Sequence, residues 1–293
     1  MVPLADRVIS RMRTASIHIR NALLIGAFGL ALAGCQTAMR TSAPAPTADP
    51  GTASVANIDS LTAVIAREPN NPEAYNVRGS AFGRAGRYDE ALADFSKAIE
   101  IDPNFARAYA NRAVIYRRNG DTERAFADYN RAIQGDPRYA PAYVGRGTIF
   151  RQQGQLDRAL ADYNQAIQLD PTDAQAFHNR GLVYQAQAQH QSAIEDFTSA
   201  IGMSPASAEP YDGRGLSYLA LGDARTALDD FNEAVKRDKN SFTAWTNQGL
   251  ALERLGDPQK AHAAFARAAN LNGGYQPAKD GMRRTSAGGQ AAG

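Results

Sequence analysis

Residues 140–173 read APAYVGRGTIFRQQGQLDRALADYNQAIQLDPTD, and the pattern in this stretch decides the fold. The same pattern returns every 34 residues from residue 72 to residue 275. The copies, numbered here as units 1 to 6, are 72–105, 106–139, 140–173, 174–207, 208–241 and 242–275. A fixed period of this length indicates a repeat architecture, in which each unit must stack on its neighbours to bury its apolar face.

Within each unit, aromatic and small residues recur at spacings of three, four and seven, which predicts two amphipathic helices. The first helix carries an aromatic column at Tyr75, Tyr109, Tyr143, Phe177, Tyr211 and Trp245. A column of small residues follows at Gly79, Ala113, Gly147, Gly181, Gly215 and Gly249. The second helix repeats A-x3-[FY]-x2-A, with its aromatic residues at Phe95, Tyr129, Tyr163, Phe197, Phe231 and Phe265. Turn glycines are predicted at Gly86, Gly120, Gly154, Gly222 and Gly256, and a closing Pro ends the second helix in units 1 to 4.

These units resemble the tetratricopeptide repeat, a helix–turn–helix motif of 34 residues, over about 204 residues of the chain. The resemblance implies an all-α fold, a right-handed α-solenoid of six helix–turn–helix units. Residues 57–71 fall on a second-helix position and are expected to form a helix that caps unit 1. Residues 276–293 are expected to be a polar tail, with a short helix at 277–284 and disorder from 285 onward.

The amino terminus has the pattern of a targeting segment. Four Arg, at positions 7, 11, 13 and 20, precede an uncharged apolar run that ends at Gly34 and is short for a membrane span. The sequence Leu32-Ala-Gly-Cys35 resembles the lipobox of bacterial lipoproteins. That resemblance implies that residues 1–34 are a signal peptide and that Cys35 is lipidated, whereas the alternative is a free Cys at the end of an uncleaved helix. Residues 35–56, rich in Ala, Pro, Thr and Ser, predict a flexible tether.

Composition excludes several classes of function. Removing residues 1–34 would leave 28 basic and 29 acidic residues, so nucleic-acid binding through bulk positive charge is not expected. A single Cys excludes a disulfide framework and a Cys-rich zinc site. His18, His178, His190 and His262 occupy unrelated positions in the repeat, without metal-ligand spacing. Because no nucleophile–base pattern is recognisable either, we expect no catalytic residues, no cofactor and no metal.

Two charged columns recur with the repeat and are both lost in unit 6, which has Gln248 and Ala264 instead. Their joint loss predicts structural ion pairs between the two helices of a unit, and the alternative is a ladder of ligand-binding Arg. The basic column is Arg78, Arg112, Arg146, Arg180 and Arg214. The acidic column is Asp94, Asp128, Asp162, Asp196 and Asp230.

By resemblance to the family, a partner would bind in the concave groove lined by the first helix of each unit. Basic groove positions are Arg84, Arg107, Arg117, Arg118 and Arg151. Apolar groove positions are Leu182, Leu216, Leu219 and Leu250, accompanied by the acidic Glu209, Asp212 and Glu253. This pattern suits an extended peptide with acidic and apolar anchors, although an ordinary solvated helix face would look similar. The lysine position with which one family subtype grips a C-terminal carboxylate holds Asn76, Ala110, Val144, His178, Asp212 and Thr246, so that clamp is not expected.

Taken together, the sequence predicts a scaffold or adaptor that is lipid-anchored in the bacterial cell envelope and recruits one or more envelope proteins. Gln36 after the Cys favours the periplasmic face of the outer membrane, by resemblance to lipoprotein sorting. Peptidoglycan hydrolases or proteases are the first expected partners. A pilotin-like assembly factor for a secretin or pilus machine is the alternative. An enzyme or glycan-binding protein that uses the groove is a third hypothesis.

Overall fold

The computed structural model describes residues 50–288, and within this range the chain forms fourteen α-helices and no strand. The helices are α1 (Pro50–Arg67), α2 (Pro72–Arg84), α3 (Tyr88–Ile101), α4 (Ala106–Arg118), α5 (Thr122–Gly135), α6 (Ala140–Gln152), α7 (Leu156–Leu169), α8 (Ala174–Ala186), α9 (His190–Met203), α10 (Glu209–Ala220), α11 (Ala224–Arg237), α12 (Phe242–Arg254), α13 (Pro258–Leu271) and α14 (Gln276–Gly288). Each unit contributes one even-numbered and one odd-numbered helix, from α2 to α13. The all-α repeat solenoid expected from the sequence is therefore confirmed.

Helix α1 caps the amino-terminal end of the array at a second-helix position. Thr62 Oγ1 accepts a hydrogen bond from Arg78 Nη1 at 3.1 Å, as Ser96 Oγ accepts one from Arg112 at 3.0 Å one unit later. The bounds of α1 differ from the prediction, since the helix begins at Pro50, inside the expected tether. Pro is favourable in a first helical turn, and no further Pro interrupts the chain before the end of α1.

Helix α14 contradicts the expectation of a disordered polar tail from residue 285. It lies at the first-helix position of a seventh, incomplete unit and packs on α13, with Gly281 against the Phe265 ring. Thr285 is buried, and its hydroxyl hydrogen-bonds to the Gly281 carbonyl. Arg284 makes two hydrogen bonds of 2.8 Å to the Glu253 carboxylate. Sequence polarity was misleading because α14 needs only one small apolar face to cover α13.

The core is a row of aromatic rings, one from the second helix of each unit. All six of these rings are at most 1% exposed. They are Phe95, Tyr129, Tyr163, Phe197, Phe231 and Phe265. The Ala residues four before and three after each ring are fully buried, which lets the neighbouring helices approach closely.

The turn between the two helices of a unit needs a left-handed residue. Gly occupies this position in five units, with φ between 72° and 87°. Unit 4 has Ala188 there instead, at φ 56°. Ala188 is the one non-Gly residue with positive φ in the described part of the chain. An L-residue with a Cβ is disfavoured in this conformation, so unit 4 carries a local strain that its neighbours avoid.

The contacts between helices fix which surface of the array is concave. Each first helix contacts the first helix of the next unit, whereas the second helices of successive units make no such contacts in the described range. The first helices therefore approach each other more closely, and their shared surface lies on the inside of the curve. We call this surface the inner face.

Candidate binding groove

The amino-terminal half of the inner face is basic, and its Arg side chains differ in how they are paired. Arg84 and Arg118 line a cavity of about 240 Å³ between units 1 and 2. Arg107 forms an ion pair of 2.6 Å with Glu73 of the preceding unit, although both side chains remain substantially exposed. Arg117 is half-buried and lies near enough to the Tyr129 and Tyr163 hydroxyls to oppose the rise in pKa that burial imposes on both. The amino-terminal half of the inner face is therefore cationic, although some of its Arg side chains already have partners.

Two larger cavities follow on the inner face over units 3 to 6. The first, about 670 Å³, is bordered by Arg151 of unit 3 and by unit 4, and we call it the Arg151 pocket. The second, about 300 Å³, includes Leu216 and is called the Leu216 pocket. His178, Leu182 and Glu209 line both cavities, so the two are continuous. Together they form one recess that extends over units 3 to 6.

Opposite charges surround the imidazole at the junction of the two pockets. Burial lowers the pKa of His178 below its ordinary value, Glu209 opposes this shift and Arg151 adds to it. Neither His178 Nδ1 nor Arg151 Nε has a hydrogen-bond partner, although both atoms are buried. Buried polar atoms without partners are uncommon in folded proteins, because each costs about 1–3 kcal/mol.

A second half-buried titratable group, Asp212, lines the Leu216 pocket together with His178. Burial raises the pKa of the Asp212 carboxyl group, and the hydrogen bond from Asn247 Nδ2, 2.9 Å long, opposes the rise. This bond joins the first helices of units 5 and 6. The carboxylate therefore faces the Leu216 pocket while it remains poorly solvated.

The predicted leucine positions are only partly brought together. Leu182 and Leu216 line the Leu216 pocket, and Leu216 is 36% exposed. Leu219 is half-buried and packs against the core cluster of Ala227, Phe231 and Ala251, so its role as a groove anchor stays a prediction. At the same position of unit 4, Gln185 donates to Gly213 O and Ser217 Oγ of the next unit at 2.7 and 2.8 Å.

Two further predicted groove positions lie outside the two larger pockets. Leu250 is half-buried and lines none of the cavities described here. Glu253 is engaged by Arg284 of α14, which also lowers the pKa of this carboxylate. Helix α14 thus occupies the surface next to unit 6 and bounds the groove at its carboxyl-terminal end.

The two charged columns meet across the helix pair of each unit. In unit 3, Arg146 Nε and Nη2 donate to the two carboxylate oxygens of Asp162 at 2.9 and 2.7 Å. The same two-pronged geometry joins Arg78 to Asp94, Arg112 to Asp128, Arg180 to Asp196 and Arg214 to Asp230. The Asp side chains are 7–8% exposed. Such buried, paired charges fix the orientation of two helices and are not available to a ligand.

Each Arg of the column also reaches back to the preceding unit, a feature that the sequence pattern did not reveal. Arg146 Nη1 donates to Asn130 Oδ1 at 2.8 Å, and Arg180 Nη1 donates to Asn164 Oδ1 at 2.7 Å. The acceptor always lies on the preceding second helix, and it is Thr, Ser or Asn depending on the unit. The signal was present as a small polar residue 16 positions before each Arg, but its identity varies.

Sequence reasoning also missed an alternation along the inner face. One first-helix position holds Asn111, Gly145, Asn179, Gly213 and Asn247 in successive units. A Cβ at Gly145 or Gly213 would lie 2.2 or 2.7 Å from the ring of the preceding unit. Close backbone approach therefore alternates with Asn over units 2 to 6, whereas unit 1 has Val77 at this position. The period-34 columns of aromatic and small residues hide this alternation.

The described residues add two plain observations about metals and membranes. Within residues 50–288, no group of three or more His, Cys, Asp or Glu side chains is placed to hold a metal ion. None of the described helices is long and apolar enough to cross a membrane. The signal-like residues 1–34, Cys35 and most of the predicted tether lie outside the described range.

Comparison with protein families agrees with this geometry. A family model described as TPR repeat matches residues 79–120 and 147–188. One model described as tetratricopeptide repeat matches residues 213–275, and another matches residues 106–139 and 174–207. Together these matches cover more than half of the chain, which therefore belongs to the tetratricopeptide repeat family. Proteins with this fold serve as protein–protein interaction modules. No curated protein matches the sequence.

Solved structures show the same architecture. A chain of the APC/C hetero-tetramer Cut9–Hcn1 is 19% identical over 80% of this chain, with a TM-score of 0.72, and this chain spans 46% of its length. PilF of Pseudomonas aeruginosa is 19% identical, with a TM-score of 0.66, over 73% of this chain and 97% of its own. PilW, a type IV pilus biogenesis factor, is 18% identical, with a TM-score of 0.64, and the match covers 71% of this chain and 97% of PilW. At these identities the likeness concerns the fold alone.

Proposed function

We propose that this protein is a non-catalytic adaptor that is anchored in the bacterial cell envelope and recruits envelope proteins through an extended segment bound on its inner face. The observation that carries the proposal is the continuous recess formed by the Arg151 and Leu216 pockets. It combines buried polar atoms that lack partners with Leu216, which is 36% exposed. A recess of this kind suits a peptide that supplies both polar and apolar contacts.

The anchor belongs to the same proposal and rests on sequence. Residues 1–34 have the pattern of a secretory signal that ends before Cys35, the chain's single Cys. Replacement Cys35→Ala is expected to abolish incorporation of labelled palmitate and to release the protein from the membrane fraction or leave it uncleaved. Unchanged labelling in the variant would refute the lipid anchor and leave the binding role of the inner face untouched.

Binding on the inner face is tested with the full chain as bait in envelope extracts. Arg117→Glu with Arg118→Glu is expected to slow association of a captured partner, because these cations attract an acidic segment from a distance. Leu182→Ala with Leu216→Ala is expected to speed dissociation, because buried apolar contacts set the lifetime of a complex. Arg131→Glu, an exposed position on a second helix, is the matched control. Partners that bind both double variants as they bind the unchanged protein would place recognition elsewhere.

Peptidoglycan hydrolases or proteases are the partners we propose first. The alternative is assembly of a secretin or pilus machine, and its support is the fold likeness to PilF and PilW over nearly their whole lengths. The two alternatives differ in what a deletion strain should lose. Loss of assembled pilus or secretin rings, with normal peptidoglycan hydrolysis, would favour the assembly factor, and the reverse result would favour the hydrolase adaptor.

A further inference from the structure

The Arg151 pocket, which joins the Leu216 pocket, holds two opposite charges. Arg151 and Glu209 both act electrostatically on His178, yet neither takes part in an ion pair within the described residues. Glu209 is exposed at the start of α10, whereas the Arg151 Nε atom is buried. Both charges line the Arg151 pocket and act on one imidazole, without forming an ion pair with each other.

The hydrogen-bonding capacity of this junction is also unbalanced. Arg151 Nε and His178 Nδ1 are buried and unpartnered. The two other carboxylates of the Arg151 pocket already accept hydrogen bonds, since Asp170 accepts from Thr172 and Asp173 caps α8 by accepting from Gln175 N and Ala176 N. Arg151 also interacts with the Tyr163 hydroxyl, but its buried Nε atom still lacks an acceptor. No cation of the described residues forms an ion pair with Glu209. An external group with both features would satisfy both sides.

We propose that this junction recognises a short extended peptide in which an acidic and a basic side chain flank an apolar one. The ligand carboxylate binds Arg151 and His178, the apolar side chain enters between Leu182 and Leu216, and the ligand cation pairs with Glu209. Since both protein charges act on one imidazole and an extended chain rises roughly 3.3 Å per residue, the two ligand charges lie about two to four residues apart. This inference rests on the proposed function and adds the charge order of the partner segment.

The test is a selection of random twelve-residue peptides, displayed on phage, against the purified full chain. Enriched peptides are expected to carry an acid and a base two to four residues apart, with an apolar residue between them. With the variant Arg151→Glu as bait, the acidic position is expected to become Lys or Arg. With Glu209→Lys, the basic position is expected to become Asp or Glu. Arg131→Glu serves as the control bait and should leave the enriched pattern unchanged.

A quantitative test follows with the most enriched peptide, labelled with fluorescein and measured by fluorescence anisotropy. Arg151→Gln is expected to weaken its binding roughly ten-fold or more, in line with a lost hydrogen bond to a charged group. The same variant should change the binding of a peptide with Ser in place of its acid less than two-fold. Circular dichroism and the thermal midpoint establish that each variant is folded, and Glu209→Lys alters an exposed side chain, so it tests the site independently of packing.

The possible failures are distinguishable. If peptides are enriched and compete with one another but keep their pattern on Arg151→Glu and Glu209→Lys, the charge order proposed here is wrong while the inner face remains a peptide-binding surface. If the unchanged protein enriches no peptide, both this inference and the proposed binding mode are overturned.

Discussion

Gln248 donates a hydrogen bond of 2.7 Å to Asn232. In the other units, the Arg of the basic column makes the equivalent hydrogen bond to the preceding second helix. Unit 6 therefore keeps the link between units although it has lost the ion pair within the unit, because Ala264 stands where the Asp would be. The Arg of the basic column therefore has two separable roles, the hydrogen bond to the preceding unit and the ion pair within its own unit. The hydrogen bond to the neighbouring unit needs only a side-chain N–H donor, whereas the buried carboxylate needs a full positive charge beside it.

Replacement Arg146→Ala is expected to lower the free energy of unfolding by about 1–3 kcal/mol, because it leaves the buried Asp162 carboxylate without its cation. The double variant Arg146→Ala with Asp162→Ala should cost less than the sum of the two single changes. Urea denaturation of all four proteins gives the comparison. Gln248→Ala is the control that the chain itself supplies, since it removes the link to the preceding unit without stranding a carboxylate, and its cost should be smaller. Strict additivity would mean that Arg146 and Asp162 act independently.

Ala188→Gly is expected to stabilise the protein by about 0.5–1 kcal/mol, because it relieves the disfavoured left-handed conformation at the turn of unit 4. The reciprocal change Gly154→Ala, at φ 72° in unit 3, should destabilise by roughly 1–2 kcal/mol. No atom lies within 4 Å of the Cβ position at Gly154, so crowding does not contribute to this cost. The thermal midpoints of the two variants and the unchanged protein give the measurement. A lower midpoint for Ala188→Gly would show that the left-handed conformation of Ala188 is not strained.

The sequence predicts the helix pairs, the unit boundaries and the identity of the core rings well, because those features repeat in register and each copy supports the others. Contacts between units were harder to foresee. The residues that accept hydrogen bonds from the Arg of the basic column change identity from unit to unit, and the contact of Leu219 with the core of its unit cannot be read from its position in the repeat. In the sequence, His178 stood out only as a residue that does not fit the lysine clamp and lacks metal-ligand spacing. Its role depends on the charges of Arg151 and Glu209, which act on it although they are far from it in sequence.

At the inner-face position where Asn and Gly alternate, a Cβ on Gly should be crowded by the preceding unit. Gly213→Ala should destabilise by about 1–3 kcal/mol, because the new Cβ would lie 2.7 Å from the Phe197 ring, which is itself fully buried and cannot move aside easily. Gly202→Ala is the matched control, since Gly202 lies in a helix with no atom within 4 Å of its Cβ position. That change should stabilise by up to about 1 kcal/mol through helix propensity. Equal effects of the two substitutions on the urea midpoint would rule out the close approach.

Deletion of residues 276–293 is expected to lower the thermal midpoint and to promote aggregation. The deletion removes α14, uncovers the Phe265 ring and takes away the Thr285 hydroxyl that lies 3.0 Å from His262 Nδ1. An exposed terminal face of a repeat array is a site for unwanted association, which is why such arrays end in caps. Deletion of residues 289–293 alone retains α14 and should leave the midpoint unchanged. Light scattering and thermal melts of the two truncations separate a cap from a dispensable tail.

Asp212→Asn is expected to stabilise the protein at pH 7. Burial raises the pKa of Asp212 in the folded state above its ordinary value, so the folded state binds a proton more readily than the unfolded chain does. Stability is therefore lost as the pH rises from the unfolded pKa, about 3.9, through the raised folded pKa. Asn carries no charge and can still accept the hydrogen bond from Asn247, so the advantage of the variant should grow between pH 4 and pH 7. For Asp223→Asn the difference should have the opposite sign and should build up below about pH 4, because hydrogen bonds from Thr226 lower the pKa of that carboxylate. Urea midpoints across this range supply the measurement, and an Asp212→Asn variant whose advantage does not increase with pH would mean that the buried carboxylate carries no penalty.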